Sequence, residues 1–171
     1  MSLMFSLSQE KAPIENLLKQ TGDRSYEALM YEKLGQLLLS QQRYTDAVEQ
    51  FQYFVDNNPM HKWSYLAHTQ IIQILLRAQL PSQVLNAKKQ YVSRYSVNSD
   101  YFKQLDATEQ TGLVKQLTGY LDELASYYHA IAQRSKKRQE QLDAYELAVG
   151  FYSQFINTAP SDKSVPEKYY L

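Results

Sequence analysis

The sequence predicts an all-α fold built from antiparallel helix hairpins that stack on one another. Apolar residues recur at helical spacing along most of the 171 residues, and no segment alternates with period two for long enough to indicate a strand. The chain holds only five Gly and five Pro, which favours long elements with few turns. Its hydrophobic fraction of 44% is sufficient to bury a continuous core.

The clearest hairpin lies at residues 25–60. Its first helix carries Tyr31, Leu34 and Leu38 on one stripe. The second helix has its own apolar stripe, which ends where Asn57, Asn58 and Pro59 stop the helix and which comprises Tyr44, Ala47, Val48, Phe51, Phe54 and Val55. Gly35 on the first helix and Ala47 on the second are small enough to let the two backbones approach.

This hairpin resembles the tetratricopeptide repeat, a unit of about 34 residues. The matching positions are Tyr31, Leu34, Gly35, Leu38, Ala47, Phe51 and Pro59, and the one departure is Phe54, where a small residue is usual. The resemblance implies an α-solenoid that acts as a protein-binding scaffold without catalytic activity.

The other segments are assigned in chain order. We predict a capping helix at 8–22, a degenerate second repeat at 62–96, an irregular connection at 97–107, a third repeat at 108–160 and the start of a truncated repeat at 161–171. The second repeat is called degenerate because no single 34-residue register fits both of its halves. The whole chain is expected to form one helical domain, cut from a longer protein.

The third hairpin repeats the apolar pattern of the first. Leu121, Leu124 and Tyr128 reproduce the spacing of its first helix. The spacing of the second helix recurs at Tyr145, Ala148, Val149, Tyr152, Phe155, Ile156 and Pro160. Because the polar tract 133–141 lies between these two patterns, we expect a lengthened joint between the helices.

Over nearly its whole length the chain also resembles repeat-rich cell-envelope proteins of proteobacteria related to myxobacterial gliding-motility proteins. The likeness is carried by stretches such as RSYEALMYEKLGQLLLSQQRYTDAVEQFQYFV, LPSQVLNAKKQYVSRY and LDELASYYHAIAQ. It implies a part of a larger bacterial repeat protein in the periplasm or cell envelope, and a cytoplasmic location is the alternative.

Composition argues against several other classes of protein. Eighteen basic and eighteen acidic residues leave no net charge to attract nucleic acid or an anionic membrane. The absence of Cys removes disulfides, a thiolate nucleophile and Cys-based zinc sites. The sequence has no apolar run of about 18 residues, so direct membrane insertion is not expected. No motif for a cofactor or metal is present.

Three histidines raise the question of catalysis. His61, His68 and His129 lie far apart in the sequence without metal-binding spacing, so structural or exposed roles are favoured. The alternative is a hydrolase with His129 as base, assisted by Asp122 or Glu123. Because Asp122 and His129 lie about 10 Å apart along a helix axis, a direct hydrogen bond between them is not expected. We therefore predict no enzymatic activity.

The predicted binding surface is the concave side of the stack, which the first helices line. Its candidate residues are Leu29, Glu32, Gln36, Leu39 and Ser40 in the first repeat and Asp122, Ser126 and His129 in the third. This set lacks the Asn and Lys pairs that clamp a terminal carboxylate in chaperone-adaptor repeats. The expected ligand is therefore an extended or helical protein segment. Self-association into a homodimer is the alternative.

Overall fold

The structure is a computed structural model that describes residues 26–168, and within this range it contains helices and connections but no strand. The all-α class is therefore confirmed for the described chain. The helices are α1 (Glu27–Ser40), α2 (Tyr44–Asn57), α3 (Ser64–Arg77), α4 (Pro81–Arg94), α5 (Asp100–Lys103), α6 (Ala107–Arg134), α7 (Arg138–Thr158) and α8 (Val165–Lys168). The capping helix predicted at 8–22 lies outside the described residues.

The chain divides into two compact units between Ala87 and Lys88, within α4. In the first unit, α1 packs against α2, and α2 packs against α3. In the second unit, α6 packs against α7, and α7 contacts α8. The single helical domain expected from the sequence stays a prediction.

Gly35 sets the closest approach between α1 and α2. A methyl group at this position would come within 2.5 Å of the Phe51 ring, which is buried. The next ring along α2, that of Phe54, lies 5.2 Å from the Tyr31 ring and 4.9 Å from the Trp63 ring, measured between centroids. The small residue on α1 therefore makes room for an aromatic core that joins three helices.

The second repeat follows the first with an offset of 37 residues. The bounds of α3 and α4 each lie 37 residues after those of α1 and α2, as Glu27 and Ser64 or Asn57 and Arg94 show. The offset exceeds 34 residues because the connection at 58–63 has six residues, whereas the connection at 41–43 has three. Each buried residue of α1 and α2 has a buried counterpart at this offset, but Gly35 is matched by Ile72 and Phe51 by Lys88. The second hairpin therefore has the same helix lengths and spacing as the first but differs at these two positions.

The turns after α1 and α3 share one backbone design. Gln42 and Gln79 both adopt a left-handed conformation, with φ values of 59° and 55°. The next backbone N–H then donates to a carbonyl near the end of the helix, Arg43 to Leu38 at 2.9 Å and Leu80 to Leu75 at 3.1 Å. These are the hydrogen bonds of a Schellman motif, which ends both helices in the same way.

The third hairpin differs from the sequence prediction at its joint. Only Ser135, Lys136 and Lys137 separate α6 from α7, so the joint is short and the extra residues lengthen the helices instead. The polar tract continues as helix because its side chains pair at helical spacing, with Lys137 to Glu140 at 2.8 Å and Gln139 to Asp143 at 2.7 Å. At its other end, α6 begins with a capping box formed by Asp106 and Glu109.

The connection from α7 to α8 repeats the connection from α2 to α3. Three backbone hydrogen bonds recur 101 residues later, from Asn58 to Phe54, His61 to Asn58 and Ser64 to His61, and then from Ala159 to Phe155, Asp162 to Ala159 and Val165 to Asp162. His61 Nδ1 accepts from the Trp63 N–H at 3.1 Å, and Asp162 accepts from the Ser164 N–H at 2.8 Å. His61 therefore accepts a hydrogen bond just before α3, and α8 corresponds to the first turn of α3.

The connection predicted as irregular contains one helical turn, α5. Ser99 caps this turn by accepting from the Phe102 N–H at 3.1 Å. Tyr101 and Leu105 are buried, and the Tyr101 ring lies 4.8 Å from the Tyr95 ring. The aromatic residues of this segment therefore anchor it in the second unit.

Candidate binding groove

The first helices of the first two repeats, α1 and α3, present matched side chains. Three of the five predicted concave positions carry the same residue type 37 residues apart, as Leu29 and Leu66, Gln36 and Gln73, and Leu39 and Leu76. Leu29, Leu66 and Leu76 are 49%, 42% and 54% exposed, which is high for leucine side chains on packed helices. The first helices of two successive hairpins thus both present leucines and glutamines at matching positions.

A groove of about 620 Å³ lies on this face, toward the carboxyl ends of the two helices. Its lining residues are Leu39, Gln70, Gln73, Ile74, Leu76 and Arg77. The volume falls within the range of about 300–1,000 Å³ that ligand-binding clefts occupy. The groove is therefore large enough to receive several side chains of another molecule.

The polar side chains of the groove have unused hydrogen-bonding capacity. Within the described residues, Gln70, Gln73 and Arg77 make no side-chain hydrogen bond or ion pair. Gln36 differs, because its amide donates to Glu32 at 3.1 Å and accepts from Lys33 at 3.4 Å. The α3 side of the groove thus offers two amides and one guanidinium to a ligand.

The concave residues predicted in the first repeat have different surroundings. Leu39 lines the groove, and Leu29 is exposed beyond it. Glu32 is held by Gln36, and the Ser40 hydroxyl donates to the Leu37 carbonyl at 2.6 Å. Leu39 is therefore the only one of the five that belongs to the groove lining.

The α3 side of the groove escaped the sequence prediction, because no register had been found for the second repeat. The recurrence of Leu, Gln and Leu at an offset of 37 residues was the signal that could have revealed it.

The candidate residues on α6 are engaged separately. His129 Nε2 lies 3.0 Å from Gln133 Nε2, and its ring centroid lies 5.9 Å from that of Tyr145. Asp122 forms an ion pair with Lys168, and Ser126 is exposed. The structure therefore gives Asp122 and His129 different partners, and neither candidate lies in the groove on α1 and α3.

Two adjacent carboxylates of α6 each pair with a different lysine whose side chain is largely covered. Glu123 pairs with Lys88, whose side chain is 10% exposed, and Asp122 pairs with Lys168, whose side chain is 9% exposed. The Lys168 ammonium also lies 4.4 Å from the centroid of the Phe155 ring. These carboxylates therefore link α6 to α4 and α8 within the second unit, which explains the pair without acid–base chemistry.

Within residues 26–168, no three His, Asp or Glu side chains are grouped as a metal site would require. No helix in the same range is both long and apolar enough to cross a membrane. Comparisons with protein-family models, with curated proteins and with solved structures give no match for this chain. The resemblance to tetratricopeptide repeats and to envelope proteins therefore stays a prediction from the sequence.

Proposed function

We propose that this protein is a non-catalytic scaffold that binds a segment of a partner protein in the groove between α1 and α3. The observation that carries the proposal is the matched pair of leucines and glutamines on these helices, beside a groove of about 620 Å³. Exposed apolar side chains project from two helices, and amides that have no hydrogen-bond partner within the described residues lie among them. That combination suits recognition of a protein segment.

The proposal places the chain within a larger repeat protein of the bacterial cell envelope. Support for this placement comes from the sequence resemblance and from the repeated hairpin geometry. The connection before α8 adds to it, because its backbone hydrogen bonds reproduce those of the connection before α3.

Site-specific crosslinking in the native cell tests the proposed function. A photoreactive amino acid at Leu76 should capture a protein partner, whereas the same amino acid at Leu147 should not. The two leucines are comparable, since they are 54% and 42% exposed and only Leu76 lies in the groove. Equal capture at both positions, or capture at Leu147 alone, would contradict binding in the groove.

Self-association is the second candidate function, and an exposed face of α7 favours it. Leu142 and Val149 lie two helical turns apart on this face and are 51% and 58% exposed. Such a face could bury its apolar area against a second copy of the chain. Sedimentation velocity over a range of concentrations tests self-association. A dimer that dissociates in the Val149→Asp variant would support self-association, and a monomer at all concentrations would exclude it.

A further inference from the structure

We infer that the partner segment is extended and carries an aliphatic side chain next to an acidic one. This inference rests on the proposed function and specifies the chemistry of its ligand. It follows from three properties of the groove lining: an aliphatic floor, two amide side chains and a single positive charge.

The floor of the groove is aliphatic. Ile74 is buried, Leu39 is half-buried and Leu76 is exposed, so together they form a graded apolar surface. An aliphatic side chain of the partner would be buried in the groove and would also bury Leu76. Burial of one such side chain strengthens binding by about tenfold or more.

The two glutamines favour an extended segment over a helix. Each amide of Gln70 and Gln73 offers one oxygen acceptor and two N–H donors, which matches the N–H and C=O groups of a peptide unit. An extended segment has these backbone groups available, whereas a helix has already paired them internally. Only an extended segment can therefore use both glutamine side chains through its backbone.

Arg77 supplies the charge complementarity. It is the only charged residue among the six that line the groove, and it forms no ion pair within the described residues. A guanidinium presents its donors in a planar fork that matches a carboxylate. Because Leu76 and Arg77 both line the groove, a carboxylate bound to Arg77 would lie near the aliphatic anchor.

Selection from a phage-displayed library of random peptides tests the inference. The chain is immobilised as wild type, as Leu76→Asp, as Arg77→Glu and as Arg134→Glu. Arg134 is the matched control, since it also lies in the last turn of an exposed helix end but outside the groove. Far-ultraviolet circular dichroism and the emission of Trp63, the single tryptophan, verify that each variant is folded. If Arg77→Glu does not fold, Arg77→Gln removes the charge in its place.

The expected result is enrichment of peptides with an aliphatic residue next to Asp or Glu. A synthetic copy of such a peptide should bind Arg77→Glu about tenfold more weakly, and Arg134→Glu with unchanged affinity. Enriched peptides without acidic residues, or equal binding to Arg77→Glu, would overturn the inference while leaving groove binding intact. A selection that enriches no peptide, or peptides whose binding survives Leu76→Asp, would overturn the proposed function as well.

Discussion

Replacing Gly35 with alanine is the most informative perturbation of the fold. The added methyl group would come within 2.5 Å of the Phe51 ring, which is closer than two carbon atoms can approach. The ring cannot turn aside easily because it is buried and its centroid lies 6.0 Å from that of Trp63. Either the ring must move or α1 and α2 must separate.

The expected change in the free energy of unfolding is the balance of two opposing effects. Overpacking a buried site destabilises a protein by about 1–3 kcal/mol, and alanine is better than glycine within a helix by about 1 kcal/mol. We therefore expect Gly35→Ala to lower the free energy of unfolding by up to about 2 kcal/mol. Gly119→Ala is the matched control, because an added methyl group there meets no atom within 4 Å. It should raise the free energy of unfolding by about 0.5–1 kcal/mol.

Urea denaturation measures both changes. Trp63 fluorescence reports on the first unit, which contains Gly35, and far-ultraviolet circular dichroism reports on all helices. A double-mutant cycle with Phe51→Leu then identifies the contact: the smaller side chain should relieve the methyl group and give a coupling of about 1 kcal/mol. Equal stabilisation by Gly35→Ala and Gly119→Ala, or additive effects in the cycle, would refute the close approach of the two helices.

Three further predictions concern other parts of the chain. Gln42→Gly should raise the free energy of unfolding by about 0.5–1 kcal/mol in the same assay. The reason is that the φ of 59° at Gln42 is strained for any residue with a side chain. An unchanged or lower free energy of unfolding would contradict this. Lys88→Met should change the free energy of unfolding by less than about 1 kcal/mol. Glu123→Gln should lower it by about 1 kcal/mol, because it leaves the buried Lys88 ammonium without its partner. A larger loss from Lys88→Met than from Glu123→Gln would count against the ion pair. The Ser164 hydroxyl and N–H hold the pKa of the Asp162 carboxyl below its ordinary value, so this carboxylate contributes stability above that value and loses it as pH falls through the folded-state pKa. A carboxyl titration by NMR should show a higher Asp162 pKa in Ser164→Ala, and an unchanged pKa would contradict the assignment.

The sequence predicted the first hairpin well because its residues carry the packing directly. Apolar stripes at helical spacing placed α1 and α2, and the small Gly35 indicated the close approach that the Phe51 ring fills. The Asn and Pro residues after Asn57 correctly marked the end of α2. These signals are local, so they can be read from a single sequence.

The second and third hairpins were harder to predict because their patterns can be interpreted only by comparison with the first hairpin. A register of 37 residues was hidden by Ile72 and Lys88, which replace the small and aromatic residues that normally identify the repeat. In the third repeat, a run of polar residues at 133–141 indicated a loop by composition. The structure makes most of it helical, since charge pairs such as Lys137 with Glu140 support an exposed helix.

The candidate site was predicted only in part. Leu39 was identified from its position in the first hairpin. The groove residues of α3 could be identified only if the second hairpin had first been aligned with the first. The availability of the Gln70, Gln73 and Arg77 side chains cannot be read from sequence at all, because it depends on which neighbours each one meets in the folded chain. The pairing of Asp122 with Lys168 likewise depends on a contact across 46 residues.

Mapping a bound peptide by NMR tests the central claim most directly. A peptide enriched on the wild-type chain is added to isotopically labelled protein, and the backbone amide shifts are followed. The account predicts that the largest shift changes fall at Leu39 and at residues 70–77, on the first helices of the first two repeats. Changes centred on Leu142 and Val149, or around His129, would contradict it.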